Sequence, residues 1–128
     1  MKWIYYVGLV VLTISACKKK EDKGASKVQI TYTLPVLGDT VQSYNQVHAE
    51  GTISGDGTMK GYNVFILNTA TGVELFSNKY DIEASAYNFH EHWVNNLSDT
   101  TQVTVRVEAI KDVDGNKFTK EMKVICLP

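Results

Sequence analysis

From Lys27 onward the apolar residues recur at every second position, and no stretch sustains the i, i+3, i+4, i+7 spacing of an amphipathic helix. Alternation of period two places successive side chains on opposite faces of an extended strand. The clearest run is Gln102 to Ala109, where Val103, Val105, Val107 and Ala109 alternate with Gln102, Thr104, Arg106 and Glu108. The last run sets Phe118, Met122, Val124 and Cys126 against Thr119, Glu121 and Lys123, with Lys120 breaking the pattern. Earlier runs are Val28 to Leu34, Val47 to Ile53, Tyr62 to Leu67, Val73 to Tyr80 and Tyr87 to Val94. Between the runs stand turn-forming clusters at Ser54 to Gly57, Asn68 to Gly72, Asn95 to Asp99 and Asp112 to Asn116. The pattern predicts an all-β domain of seven short strands spaced by about ten residues, which suits an antiparallel sandwich.

The first sixteen residues follow a different rule. Lys2 precedes an apolar run from Trp3 to Ile14, and the small residues Ser15 and Ala16 close it, which is the layout of an export signal. The run is too short for a permanent transmembrane helix, which needs roughly 20 residues. Next comes Cys17 and then Lys18 to Ser26, a charged stretch without large apolar side chains, expected to be a tether between residues 17 and 26. Fully extended, nine such residues reach roughly 30 Å. The domain is expected to occupy 27–128.

Ile14-Ser15-Ala16-Cys17 resembles the lipobox of bacterial lipoproteins. The resemblance implies cleavage after Ala16 and attachment of lipid to the Cys17 sulfur, so the first expected partner is membrane lipid. Two or three acyl chains anchor a protein firmly, at about 0.8 kcal/mol per buried methylene. Lys20-Glu21-Asp22 resembles the surface-export signal of Bacteroidota lipoproteins and implies an outer-membrane protein shown at the cell surface; a solvated charge run beside the periplasmic leaflet is the alternative. The seven-strand order resembles an immunoglobulin or fibronectin type III sandwich, although the cysteine pair and core tryptophan of antibody domains are absent. Val103 to Ile125 resembles the closing strands of sandwich domains in Bacteroidota lipoproteins. His90-Glu91-His92-Trp93 resembles the His-x-His strand of Ig-like lipoproteins of that phylum whose function is unknown.

Composition removes several function classes. The chain has 128 residues, with 13 Lys plus Arg against 14 Asp plus Glu and a formal charge of −1. Arg106 is the single arginine, so no basic surface neutralises a run of phosphates, and nucleic acid is not an expected partner. Lipid on Cys17 would leave Cys126 without a disulfide partner, and its place in the last strand's alternation suits a small buried residue. There is no Gly-x-Ser-x-Gly, phosphate-binding glycine loop, His-Glu-x-x-His or Cys-x-x-Cys, so the chain is expected to be no enzyme and to need no cofactor. The expected function is a lipid-anchored binding or accessory module, its partner an envelope protein or a surface glycan.

One cluster points to different chemistry. In the run Tyr87 to Val94 the core parity falls to Tyr87, Phe89 and Trp93, which turns His90 and His92 outward. In the run Val47 to Ile53 the same logic turns His48 and Glu50 outward. If these two runs are antiparallel neighbours, His48, Glu50, His90 and His92 share one solvent face, where imidazole and carboxylate donors suit Zn²⁺ or Cu²⁺. A slip of two residues would separate them by nearly 7 Å. Solvated histidines on an outer sheet face are the alternative.

Two further candidates are Asp112 to Asn116, which lacks the spacing of a calcium loop and suits a hairpin turn, and an aromatic platform of Tyr62, Phe65, Phe76 and Tyr80. Topology would gather Asp56, Asp81, Glu83, Asp112 and Asp114 at the end where the tether enters. Pro35 to Tyr44, Asn68 to Gly72 and Asn95 to Thr101 would form the opposite, more accessible end.

Overall fold

Alternating strands bury one face each, and the chain meets that demand with two sheets that share a core. The computed structural model describes residues 24–128; the expected signal peptide, Cys17 and the tether as far as Lys23 lie outside the described residues. Eight strands are formed: β1 (Val28–Leu34), β2 (Thr40–Val41), β3 (Gln46–Met59), β4 (Gly61–Asn68), β5 (Glu74–Tyr80), β6 (Ala84–Val94), β7 (Thr101–Ile110) and β8 (Lys117–Cys126). One sheet has the order β1-β3-β6 and the other β2-β8-β7-β4-β5. The core draws Ile30, Val47, Ala49, Ile53 and Phe89 from the first and Val64, Ile66, Val103, Val105, Val107 and Val124 from the second. The architecture is all-β and sandwich-like.

Every expected run coincides with a strand, and β2 is an addition. It pairs with β8 in parallel, Thr40 opposite Ile125 and Val41 opposite Cys126, whereas the other pairings are antiparallel. Two residues are too few for alternation to register, so the segment looked like loop. Ser54 to Gly57, expected as a turn, instead continues β3: Ser54 and Gly55 pair with Gln29 and Val28, and the irregularity between Ser54 and Met59 bends the strand before the chain crosses to β4.

Gly24, Ala25 and Ser26, expected in the tether, are folded onto the domain. Ala25 is buried in the core and donates its amide to Lys111 O at 2.8 Å, while Ser26 donates to Asp56 through both its amide and its hydroxyl. Ala25 is small enough to escape a search for large apolar residues. Phe118, expected inward, is 38% exposed. The misfit Lys120 has a structural use: its Nζ donates to Ile30 O at 3.0 Å, and its own carbonyl accepts the Tyr32 hydroxyl at 2.6 Å. These bonds stitch the two sheets along the β1–β8 side.

Gly51 interrupts the core parity of β3 between Ala49 and Ile53. A Cβ there would stand 2.0 Å from Thr31 O and 2.7 Å from the Phe89 ring. The missing side chain makes the space in which Phe89 meets Tyr32 edge to face, with ring centroids 5.5 Å apart. Packing at this point seats β6 against β3 next to the exposed histidines.

Candidate metal centre

The pairing of β3 with β6 decides whether the outward polar residues meet. The strands are antiparallel, with His48 opposite His92, Ala49 opposite Glu91 and Glu50 opposite His90. Val47, Ala49 and Ile53 are fully buried and Phe89 nearly so, which leaves the alternate residues no place but the outer face. The four predicted residues therefore occupy one patch of sheet.

Three of them converge. One ligand atom each from His48, Glu50 and His90 lies within 4.8 Å of the others. Glu50 Oε1 is the centre of the group, 3.1 Å from His90 Nε2 and 3.5 Å from His48 Nδ1. A tetrahedral ion bound at 2.0–2.1 Å needs its donors about 3.4 Å apart. The two contacts bracket that separation before any adjustment. His92 is outside this group of ligand atoms, although its ring neighbours both imidazoles, with centroids 6.2 Å from His48 and 6.3 Å from His90.

His48 Nδ1 has a further property. It is a buried side-chain nitrogen without a hydrogen bond, although Glu50 Oε1 is at ion-pair distance. The distance lies at the outer limit for hydrogen bonding, and among the described residues the nitrogen has no hydrogen-bond partner. Unsatisfied buried polar atoms are uncommon and call for a physical explanation. A metal ion between Nδ1 and Oε1 supplies one. The side chains of His48, Glu50 and His90 are 38%, 25% and 68% exposed, although the His48 Nδ1 atom itself is buried.

The other candidates resolve differently. Asp112 Oδ1 accepts the amides of Asp114 and Asn116, each at 3.1 Å, and its Oδ2 accepts Asn116 Nδ2 at 2.8 Å. The Asn116 side chain leads in holding the Asp112 carboxyl below its usual range. The carboxylate is thus turned into its own loop, with Gly115 at φ 80°, as a tight turn requires. The aromatic platform does not form. Tyr62 and Tyr80 stack with centroids 4.7 Å apart, Tyr62 is buried, and Phe76 and Tyr80 pack against the core.

At the acidic end Ser26 and Lys27 bond Asp56, Lys60 Nζ pairs with Glu83 at 3.2 Å, and Ala25 meets Lys111 beside Asp112. At the other end Asn95 is fully buried. Its Nδ2 donates to the carbonyls of Val41, Gln42 and Leu127 at 3.1, 3.3 and 2.8 Å, and its Oδ1 accepts the Leu97 amide. Sequence reading treated Asn95 as one of several turn formers, with no sign that it organises that end. The inward carboxylate of Glu91, which accepts from Tyr80 and Asn78, was also missed as a structural element. A charged residue at core parity was the available signal.

Neither the protein-family models nor the curated proteins contain a match to this chain.

Proposed function

We propose that the chain is an exported, noncatalytic binding module, lipid-anchored through Cys17 at the outer membrane and shown at the cell surface, whose folded part binds a divalent Zn²⁺ or Cu²⁺ ion through His48, Glu50 and His90. The carrying observation is the convergence of three ligand atoms within 4.8 Å, two of their separations already near those of a tetrahedral ion. The unsatisfied His48 Nδ1 supports the same reading. Two imidazoles and one carboxylate suit either ion.

The immunoglobulin or fibronectin type III reading of the fold is supported by strand order. With β1, β3, β4, β5, β6, β7 and β8 labelled A, B, C, C′, E, F and G, the sheets become A-B-E and G-F-C-C′, with β2 added beside G. The described chain starts against Lys111 at the acidic end, while His48 lies near the start of β3 and His92 near the end of β6, toward the Asn95 end. A tether at the first end would hold the site away from the lipid surface.

Calorimetric titration of the protein with Zn²⁺ and Cu²⁺ tests the reading. One ion per chain is expected, with binding abolished in His48→Ala and His90→Ala at unchanged thermal stability; no binding tighter than high micromolar would sink it. Fractionation tests the anchor: Cys17→Ser should move the protein from membranes to the soluble fraction.

A further inference from the structure

We propose that the ion held by His48, Glu50 and His90 keeps one coordination position open, and that this position takes a carboxylate from outside the chain, received in the recess beside His48. The inference rests on the metal-binding reading above and names the ligand class of the same site.

Geometry leaves the position open. All three donors belong to one face of the β3–β6 pair, and among the described residues no fourth ligand atom joins the group. Three protein donors and a free fourth position are the pattern of zinc sites that accept an external ligand, whereas closed sites carry four. His92 is the spare imidazole nearest at hand, and it does not join the three ligand atoms that lie within 4.8 Å of one another.

Charge selects the ligand. A divalent ion bound to one carboxylate and two neutral imidazoles retains one positive charge, which favours an anionic oxygen donor at the apex. The recess itself is lined by Tyr44, Asn45, Gln46, His48 and Val94 and has a volume of about 530 Å³. Among the described residues its lining has no Lys or Arg, so the ion is the strong positive charge that this lining would offer an incoming anion. Capture of the anion is therefore conditional on the metal.

The recess has the chemistry to hold the rest of such a ligand. Asn45 and Gln46 are exposed, and their side-chain amides are not engaged by the described residues, which leaves donors for a second carboxylate oxygen. Tyr44 and Val94, 81% and 43% exposed, add apolar surface for an organic body. The wall is pre-formed: Tyr44 N donates to Asn95 O at 2.8 Å and Asn95 N to Asn45 O at 2.8 Å, so both backbone bonds lead to the buried Asn95. Tyr44 is held at φ 64°, in the left-handed backbone region that is uncommon for a residue other than glycine.

The carboxylate can belong to a free organic acid or to the C-terminus of a peptide. The test uses the lipidated chain in detergent, loaded with Co²⁺, whose visible bands report coordination. It is titrated with acetate, with a short peptide bearing a free C-terminus, and with the same peptide amidated. A saturable band change with acetate and the free-acid peptide, but not the amide, is expected. Tighter binding of the peptide than of acetate assigns the peptide source, and equal binding assigns free acids. Asn45→Ala and Gln46→Ala should each weaken the carboxylate roughly threefold to tenfold while Co²⁺ affinity stays the same. Bands indifferent to carboxylate in the loaded protein, or responsive only in His92→Ala, overturn this inference alone. Failure to bind Co²⁺ overturns the metal reading and this inference with it.

Discussion

Glu50 and Glu91 stand on neighbouring strands one residue apart in register, yet they belong to different regions of the molecule and are built for different work. Glu50 faces outward beside two imidazoles, its side chain 25% exposed. Glu91 faces inward at 9% exposure and accepts from the Tyr80 hydroxyl and from Asn78 Nδ2 on the other sheet. The partners make the difference. Tyrosine and amide donors both bond Glu91 Oε1 and tie the carboxylate to the opposite sheet, so Glu91 closes the β5–β6 side of the sandwich. Imidazoles carry lone pairs of their own, so Glu50 and its neighbours form a set of donors that lacks an acceptor. One region is tied to its own protein donors, and the other is the one we propose to be completed by an ion.

The sharpest way to break this comparison is to remove each carboxylate and read both stability and metal binding. Glu91→Ala removes the acceptor of the half-buried Tyr80 hydroxyl and of the exposed Asn78 and should cost about 2 kcal/mol in urea unfolding. Zn²⁺ affinity of the folded protein should be unchanged. Glu50→Gln should do the reverse, lowering Zn²⁺ affinity by roughly a hundredfold in calorimetry, since even outer-shell partners of a metal contribute about tenfold to hundredfold. Its apo stability should stay within about 0.5 kcal/mol of the parent, as for other exposed sites.

Smaller effects refine the inward region. The hydrogen bond to Glu91, followed by burial, pushes the Tyr80 hydroxyl up to about 12 from an ordinary 10.0. The folded value lies above the unfolded one, so this contribution is whole below pH 10 and is lost as pH rises toward 12. Tyr80→Phe should cost about 1 kcal/mol at neutral pH. Unfolding curves of the variant should also lack part of the parent's decline across that alkaline window. Smallest of all is a third carboxylate, Asp56, which bonds from the Ser26 hydroxyl and then the Lys27 amide hold at about 2, below its ordinary 3.8. Its contribution is present above pH 3.8 and disappears as pH falls toward 2, so Asp56→Asn should flatten the acid unfolding profile there and nowhere else.

Legibility varied with the kind of interaction. Core parity was readable in β3, β6 and β7 because it is a local period, and it correctly turned His48, Glu50, His90 and His92 to one side. The two-residue β2 was invisible, since it exists only through its parallel contact with β8. Lys120 read as an error in its strand until the proximity of Ile30 and Tyr32, some ninety residues earlier, gave it a purpose. Asn95 looked like a turn former, and only the convergence of Val41, Gln42 and Leu127 makes it an organiser. His92 was indistinguishable from His90 by sequence; the ligand-atom positions set by the fold separate them.

By itself the sequence determined which residues can face the core, because side chains alternate along any extended strand whatever its neighbours. It also determined which residues carry metal-binding chemistry. Only the tertiary structure decided which strand lies beside which, and in what register. A slip of two residues preserves every buried position in the pattern yet moves a donor by nearly 7 Å, twice the separation an ion tolerates. Burial set the faces, and pairing placed Glu50 opposite His90.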